Sequence, residues 1–254
     1  MVICDNISKK FRWYDKNGSL KTSFVKFFDK SKKIWEWYVL KNLNLEIKKG
    51  ERIGVIGKNG SGKSTLLKII AGIHLPSSGK IINNSKRMLA LIELGAGFYY
   101  DLPAKENIRL NWVLNGLPKS ELKRRFDEIV EFSGIGDFLN TPLKYYSNGM
   151  AARLGFSVAI HANPDLLIVD EVLTVGDAEF QKKCYEKIDE ICKAGTTLIL
   201  VSHNLNDVSN ICKRAVWLSD GSIQIDGRAE DTIKKYLNSL NQIEISEHKL
   251  ENYV

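Results

Sequence analysis

The run Gly57-Lys-Asn-Gly-Ser-Gly-Lys63-Ser64-Thr65 constrains this chain more than any other feature. It fits G-x-x-x-x-G-K-[ST], follows the apolar, strand-like 52–56, and leads into the helix-like 65–71, which is the context that pattern needs. A loop of this kind is a device for phosphate. Gly57, Gly60 and Gly62 let backbone N–H groups turn inward, and the helix that follows presents the positive end of its dipole. Lys63 is placed to reach the β- and γ-phosphates of a nucleoside triphosphate, and Ser64 to ligate Mg²⁺. Asn59 and Thr65 complete the expected binding loop.

A second run, Leu166-Leu-Ile-Val-Asp170-Glu171, reads as a buried parallel strand whose C-terminal edge carries charge. Ligands sit at that edge in open α/β sheets. Asp170 is expected to hold Mg²⁺, directly or through water, and Glu171 to accept a proton from the water that attacks the γ-phosphate. Nineteen residues before Leu166, Tyr146-Ser147-Asn148-Gly149-Met150 precedes the helix-like 151–160, so Ser147 reads as the start of a second phosphate-binding helix.

With these three elements in this order, the chain resembles the ATP-binding cassette ATPases, whose signature, commonly Leu-Ser-Gly-Gly-Gln, lies between the phosphate loop and the acidic strand. Asn148 replaces the first glycine, a mild change because Asn tolerates left-handed backbone. Met150 replaces Gln and removes a polar side chain, so no direct role is expected for it. The resemblance implies that Ser147, Asn148 and Gly149 contact ATP bound by a second copy, and that Asp177, in Thr174-Val-Gly-Asp177, helps couple two ATP sites. It also implies that His203, directly after the strand-like 197–202, contacts the γ-phosphate and orients water. Phe11 stands where the family stacks an aromatic ring on adenine, with Tyr38 as runner-up and a core role open for both. Glu93 lies at or beside the family's Mg²⁺-contacting Gln, and its role stays open. The likeness spans roughly residues 2–227.

The fold implied is α/β, a P-loop NTPase with a RecA-like core, a small antiparallel β subdomain and an α-helical subdomain. Strands are expected at 2–11 and 39–47, strand-rich chain at 80–94, and helices at 106–114 and 119–133, with Pro118 opening the second and Gly134 closing it. The cassette domain is set at 1–240, with an insertion at 12–38, a helical subdomain at 104–160, a last amphipathic helix at 230–240, and a polar tail at 241–254.

Composition adds limits. A chain of 254 residues with 44% hydrophobic content can bury a full core. The apolar runs are of strand length, no signal pattern opens the chain, and no bilayer crossing is expected. Cys4, Cys184, Cys192 and Cys212 lack metal-site spacing and read as packing residues of a protein from a reducing compartment. The net charge of +7 is compatible with nucleic acid, anionic lipid or simple solubility. From Lys9 to Lys33 nine Lys or Arg stand against two Asp, interleaved with aromatics. Leu20, Phe24, Phe27 and Phe28 recur at helical spacing. This segment reads as a helix on its own domain or, preferably, at a membrane surface or membrane partner; no nucleic-acid partner is expected.

The strings Leu94-Gly-Ala-Gly-Phe98, Tyr146-Ser-Asn-Gly-Met150 and 170–184 look like the ATPase subunits of bacterial polysaccharide exporters, those for O-antigen and wall teichoic acid. That likeness implies a homodimer binding ATP and Mg²⁺ on the cytoplasmic face of the bacterial inner membrane. A peripheral ATPase there would drive an integral-membrane permease that handles a lipid-linked glycan. Some O-antigen members append a glycan-binding β-sandwich, and none is expected within these 254 residues. ATPase subunits of a small-molecule importer or drug exporter, and a non-hydrolysing ATP-dependent clamp, are the alternatives.

Overall fold

The computed structural model describes residues 1–14, 34–92, 95, 97–170 and 176–251, with backbone alone at 14, 34 and 241–251. Two sheets organise them. In the first, β1 (Val2–Tyr14) lies between β2 (Ile34–Ile47) and β4 (Ser78–Asn83), all antiparallel. In the second, β5 (Met88–Leu91), β6 (Leu166–Asp170), β7 (Thr197–Val201), β3 (Arg52–Ile56) and β8 (Arg214–Ser219) run parallel in that spatial order. The edge strand β9 (Ser222–Arg228) returns antiparallel to β8 through Asp220-Gly221, both at positive φ, the backbone that an Asp-Gly hairpin turn provides.

The parallel strands are apolar on both faces because each face is covered. Leu166 and Ile168 of β6 join a core with Leu66, Leu67, Ile69 and Ile70 of α1 (Lys63–Ile70) and with the antiparallel sheet. Leu167 and Val169 face the other way, into a core containing Phe156 of α4 (Asn148–Ile160) and Ile188 of α5 (Ala178–Lys193). Burial of each such side chain is worth about 1.5–3 kcal/mol, so a one-residue slip of β6 would misplace all four. On that second face α6 (Leu205–Ile211) lies close against β3: a Cβ on Gly54 would fall 2.3 Å from a Val208 methyl.

The helices α2 (Ala104–Leu114), α3 (Lys119–Ser133) and α4 follow β5. Helix α3 starts after Pro118, whose carbonyl accepts from the Trp112 indole N–H at 3.0 Å, and stops at Gly134 with φ 69°, as the sequence predicts. Two elements run longer than expected. The strands β1 and β2 stay paired out to Tyr14 and Ile34, and α7 (Ala229–Glu251) continues through most of the stretch separated above as a polar tail. No Gly or Pro interrupts 229–251, and polarity alone does not end a helix.

Candidate functional site

The loop after β3 has the backbone that phosphate binding requires. Gly57, Gly60 and Gly62 adopt φ values of 152°, 77° and 106°. A Cβ on Gly57 would lie 2.1 Å from the Leu218 carbonyl oxygen, and one on Gly62 2.8 Å from that of Val39, so neither position accepts a side chain. Gly60 faces open space. Helix α1 begins directly after Gly62 with no side-chain cap and no acid in its first turn, leaving its first N–H groups and dipole for an anion. Lys63 is buried, and its ammonium donates to the carbonyls of Gly57 at 2.8 Å and Lys58 at 3.0 Å, which hold the charge against the loop. Asn59 and Ser64 are exposed beside it.

Strand order brings two further predicted residues to the same edge. Val55, Val201 and Asp170 are register partners across β3, β7 and β6, so Asp170 sits two strands from the phosphate loop, about 10 Å by interstrand spacing. His203 follows β7 by two residues, between those strands, and is exposed. Its loop is closed by a ring of hydrogen bonds that the sequence reading missed. The buried Asp207 carboxylate accepts from Ser202 Oγ at 3.0 Å and from Asn204 Nδ2 at 2.9 Å, and Ser202 Oγ accepts from the Asn204 N–H at 3.1 Å. Tyr185 of α5 also hydrogen-bonds Asp207; burial, and then that bond, raises its phenol pKa. His203 therefore stands between two residues fixed to one buried carboxylate. Asn204, as N-cap of α6, was the visible signal: its side chain accepts from the Asn206 N–H.

The other two predicted motifs meet each other. Ser147 is exposed at the N-cap of α4 and accepts from the Met150 N–H at 3.2 Å, with Asn148 and Gly149 forming the first turn. Asp177 is the N-cap of α5, where the Phe180 N–H and then the Arg153 guanidinium hold its carboxyl below the usual carboxylate pKa. Arg153, six residues after Ser147 on α4, bonds Asp177 at 2.6 Å and lies 4.9 Å from the Phe180 ring centre. An ion pair thus ties the Ser147 helix to the Asp177 turn, a link not foreseen from the sequence.

Phe11 is partly buried, tilted on Trp37 at 6.3 Å and edge-on to His74 at 6.1 Å, while Tyr38 is half exposed. Phe11 pairs with Trp37 and Tyr38 with Lys10, which puts the two aromatic candidates on opposite faces of the ribbon. Glu171, Glu93 and the 15–33 segment with its Phe24, Phe27 and Phe28 stripe lie outside the described residues, as do Thr174 and Val175. Four cysteines are buried as free thiols, consistent with packing. Among the described residues no cluster of three or more His, Cys, Asp or Glu has metal-site geometry, and no helix is long and apolar enough to cross a membrane.

A sequence profile of the ABC transporter family matches residues 40–174, from β2 through the phosphate loop and the Ser147 helix to the chain after Asp170. The chain belongs to the ABC transporter family. An O-antigen export system ATP-binding protein RfbB of Klebsiella pneumoniae is 42% identical over 205 residues, 81% of this chain and 83% of the relative. A teichoic acids export ATP-binding protein TagH of Bacillus cereus is 41% identical over 248 residues, covering 96% of this chain. The chain spans 44% of that relative's length. In solved structures, an ATP-binding subunit of an ABC transporter superposes with TM-score 0.75 at 22% identity, covering 92% of both chains. The dimeric cassette MJ0796 bound to ADP and Pi superposes at TM-score 0.71 and 22% identity, over 90% of this chain and 99% of that one. The fold is therefore that of the P-loop ATP-binding cassette, with the mixed six-stranded sheet as its RecA-like core and the β2-β1-β4 sheet and α2–α4 as the two appended layers.

Proposed function

We propose that this chain is an ATP-hydrolysing subunit that pairs head to tail with a second copy and drives a separate membrane permease exporting a lipid-linked polysaccharide, of O-antigen or teichoic-acid type. The observation that carries the ATPase reading is the convergence of the Gly57–Thr65 loop, Asp170 and His203 on the neighbouring strands β3, β6 and β7. The substrate class rests on the export relatives alone, RfbB and TagH. Work at the cytoplasmic face of the membrane belongs to the same proposal.

In this reading the loop N–H groups and Lys63 bind the β- and γ-phosphates, Asn59 and Thr65 complete the loop, and Phe11 stacks on adenine. Ser64 and Asp170 supply a hydroxyl and a carboxylate, the hard oxygen donors that suit Mg²⁺, which when bound neutralises phosphate charge. Glu171 takes the proton from the attacking water while His203 holds the γ-phosphate, and the bond from the γ-phosphorus to the β–γ bridging oxygen breaks to give ADP and phosphate. Ser147, Asn148 and Gly149 of the second copy close the site, and Asp177 reports its state to the neighbouring one. ATP binds the closed pair better than the open one, and that differential affinity drives the cycle.

The test is ATP binding and turnover by the purified chain. Lys63→Ala is expected to lose ATP affinity, and Glu171→Gln to keep affinity while losing most turnover. Parent-like affinity in the first or parent-like turnover in the second overturns the assignment. Co-purification with a membrane subunit carrying glycolipid supports the export reading; co-purification with a permease for a small solute replaces it.

A further inference from the structure

The β1/β2 ribbon outruns the sheet that anchors it. Strand β4 pairs β1 only as far as Ser8, while β2 stays paired to the Tyr14–Ile34 rung. Along this free stretch Phe11 stands opposite Trp37 and Trp13 opposite Trp35, so alternation puts four rings on one face. Trp13, Trp35 and Trp37 are 62%, 59% and 57% exposed. The patch continues at Ile73 and Leu75, both exposed, because His74 lies edge-on to Phe11 and Lys9 Nζ bonds the Leu75 carbonyl at 2.7 Å. On the other face Lys10 and Arg12 both bind Glu36. An adenine on Phe11 would cover one ring and leave the Trp13–Trp35 rung in water. A contiguous apolar patch of this kind marks a contact surface.

Charge says what the contact is. Between Lys9 and Lys33 the surplus of nine Lys or Arg over two Asp equals the +7 net charge of the whole chain, so the rest of the sequence, taken together, sums to zero. In the sequence most of that excess falls in the stretch that connects Trp13 of one strand to Trp35 of the other. Tryptophan favours the boundary between hydrocarbon and headgroups, and Lys and Arg are drawn to anionic headgroups. We propose that the aromatic face of the β1/β2 ribbon is a docking surface for an anionic lipid bilayer, with Trp13 and Trp35 entering the headgroup zone. The proposal rests on the membrane-coupled reading above only in giving the protein a membrane to meet.

The experiment uses the full chain without nucleotide and vesicles of phosphatidylglycerol mixed with phosphatidylcholine, or of phosphatidylcholine alone. Binding is followed by sedimentation and by quenching of tryptophan fluorescence with brominated acyl chains. Of the five tryptophans Trp112 is fully buried and Trp217 partly so, which leaves the ribbon to report contact. The expected result is binding to the anionic vesicles that weakens with salt, with bromine quenching. The double variant Trp13→Thr/Trp35→Thr, which keeps strand propensity, should bind at least tenfold more weakly and lose most of the quenching, with ATP affinity unchanged. No binding by the parent, equal binding to neutral vesicles, absence of quenching, or displacement from vesicles by single-stranded oligonucleotide at lower concentration overturns it. So does parent-like vesicle binding by the folded double variant. Should that variant not fold, quenching of the parent still decides. Vesicle binding is read without turnover, so failure of the ATPase reading and failure of this one are separable.

Discussion

Removal of the Asp207 carboxylate tests whether the ring behind His203 sets the site's geometry. Asp207→Ala deletes two hydrogen bonds to a charged acceptor, from Ser202 at 3.0 Å and Asn204 at 2.9 Å, as well as the Tyr185 contact. Hydrogen bonds to buried charged groups contribute about 1.5–3 kcal/mol each, so the two measured ones predict a loss of about 3–6 kcal/mol. Asp207 is 6% exposed, so little solvent screening reduces that figure. Against a typical domain stability of about 5–15 kcal/mol the loss is large but survivable. Asp207→Asn retains the side-chain size and one acceptor oxygen, so a smaller loss, about 1–2 kcal/mol, is expected. Urea denaturation gives the stabilities, and steady-state ATPase kinetics give the consequence for His203. With the ring open, kcat should fall at least tenfold in the Ala variant while KM stays within about twofold, since the phosphate loop is untouched. The Asn variant should recover most of the rate. A destabilisation under about 1 kcal/mol together with parent-like kcat would refute the reasoning.

Two further predictions concern stability. Burial raises the thiols of Cys4, Cys184 and Cys212 to about 12 and that of Cys192 to about 11, from 9.0. Between pH 9 and 11 the unfolded chain binds fewer protons than the folded one, so stability present below pH 9 is lost as pH rises, by up to about 1.4 kcal/mol per pH unit for each thiol. Urea melts at pH 8 and 10 should show this loss, and Cys212→Val should reduce its slope; an unchanged slope would count against burial of that thiol. Gly62→Ala places a Cβ 2.7 Å from Leu40 and 2.8 Å from the Val39 carbonyl at φ 106°, and at about 1–3 kcal/mol of backbone strain it should lower both melting temperature and ATP affinity. Parent-like values for both would mean that the loop relaxes freely.

The Gly57–Thr65 loop was legible because its chemistry demands consecutive residues with a strand before and a helix after. Asp170 could be placed at a strand edge because it ends a uniformly apolar run and Ser147 at a helix start because it caps one, whereas His203, which follows Ser202, drew its expected role from the family resemblance alone. Bonds across the fold left weaker traces. Arg153 and Asp177 are 24 residues apart, and only the folding of α4 against α5 joins them. The ribbon beyond Phe11 was hidden for a related reason: Trp13 and Trp35 gain meaning as partners only once the two strands are in register. In α7 the polar composition of 241–251 obscured an uninterrupted helix.

The central claim is a composite ATP site made by two copies, and paired lesions test it most directly. One Lys63→Ala subunit is combined with one Ser147→Arg subunit, and ATP-dependent closure of the mixed dimer is followed by fluorescence transfer between labelled copies. Both lesions fall in one composite site and leave the other intact, so the mixture should close with ATP while each variant alone does not. Absence of closure in every verified, folded mixture, or closure by either variant with itself, would contradict the account.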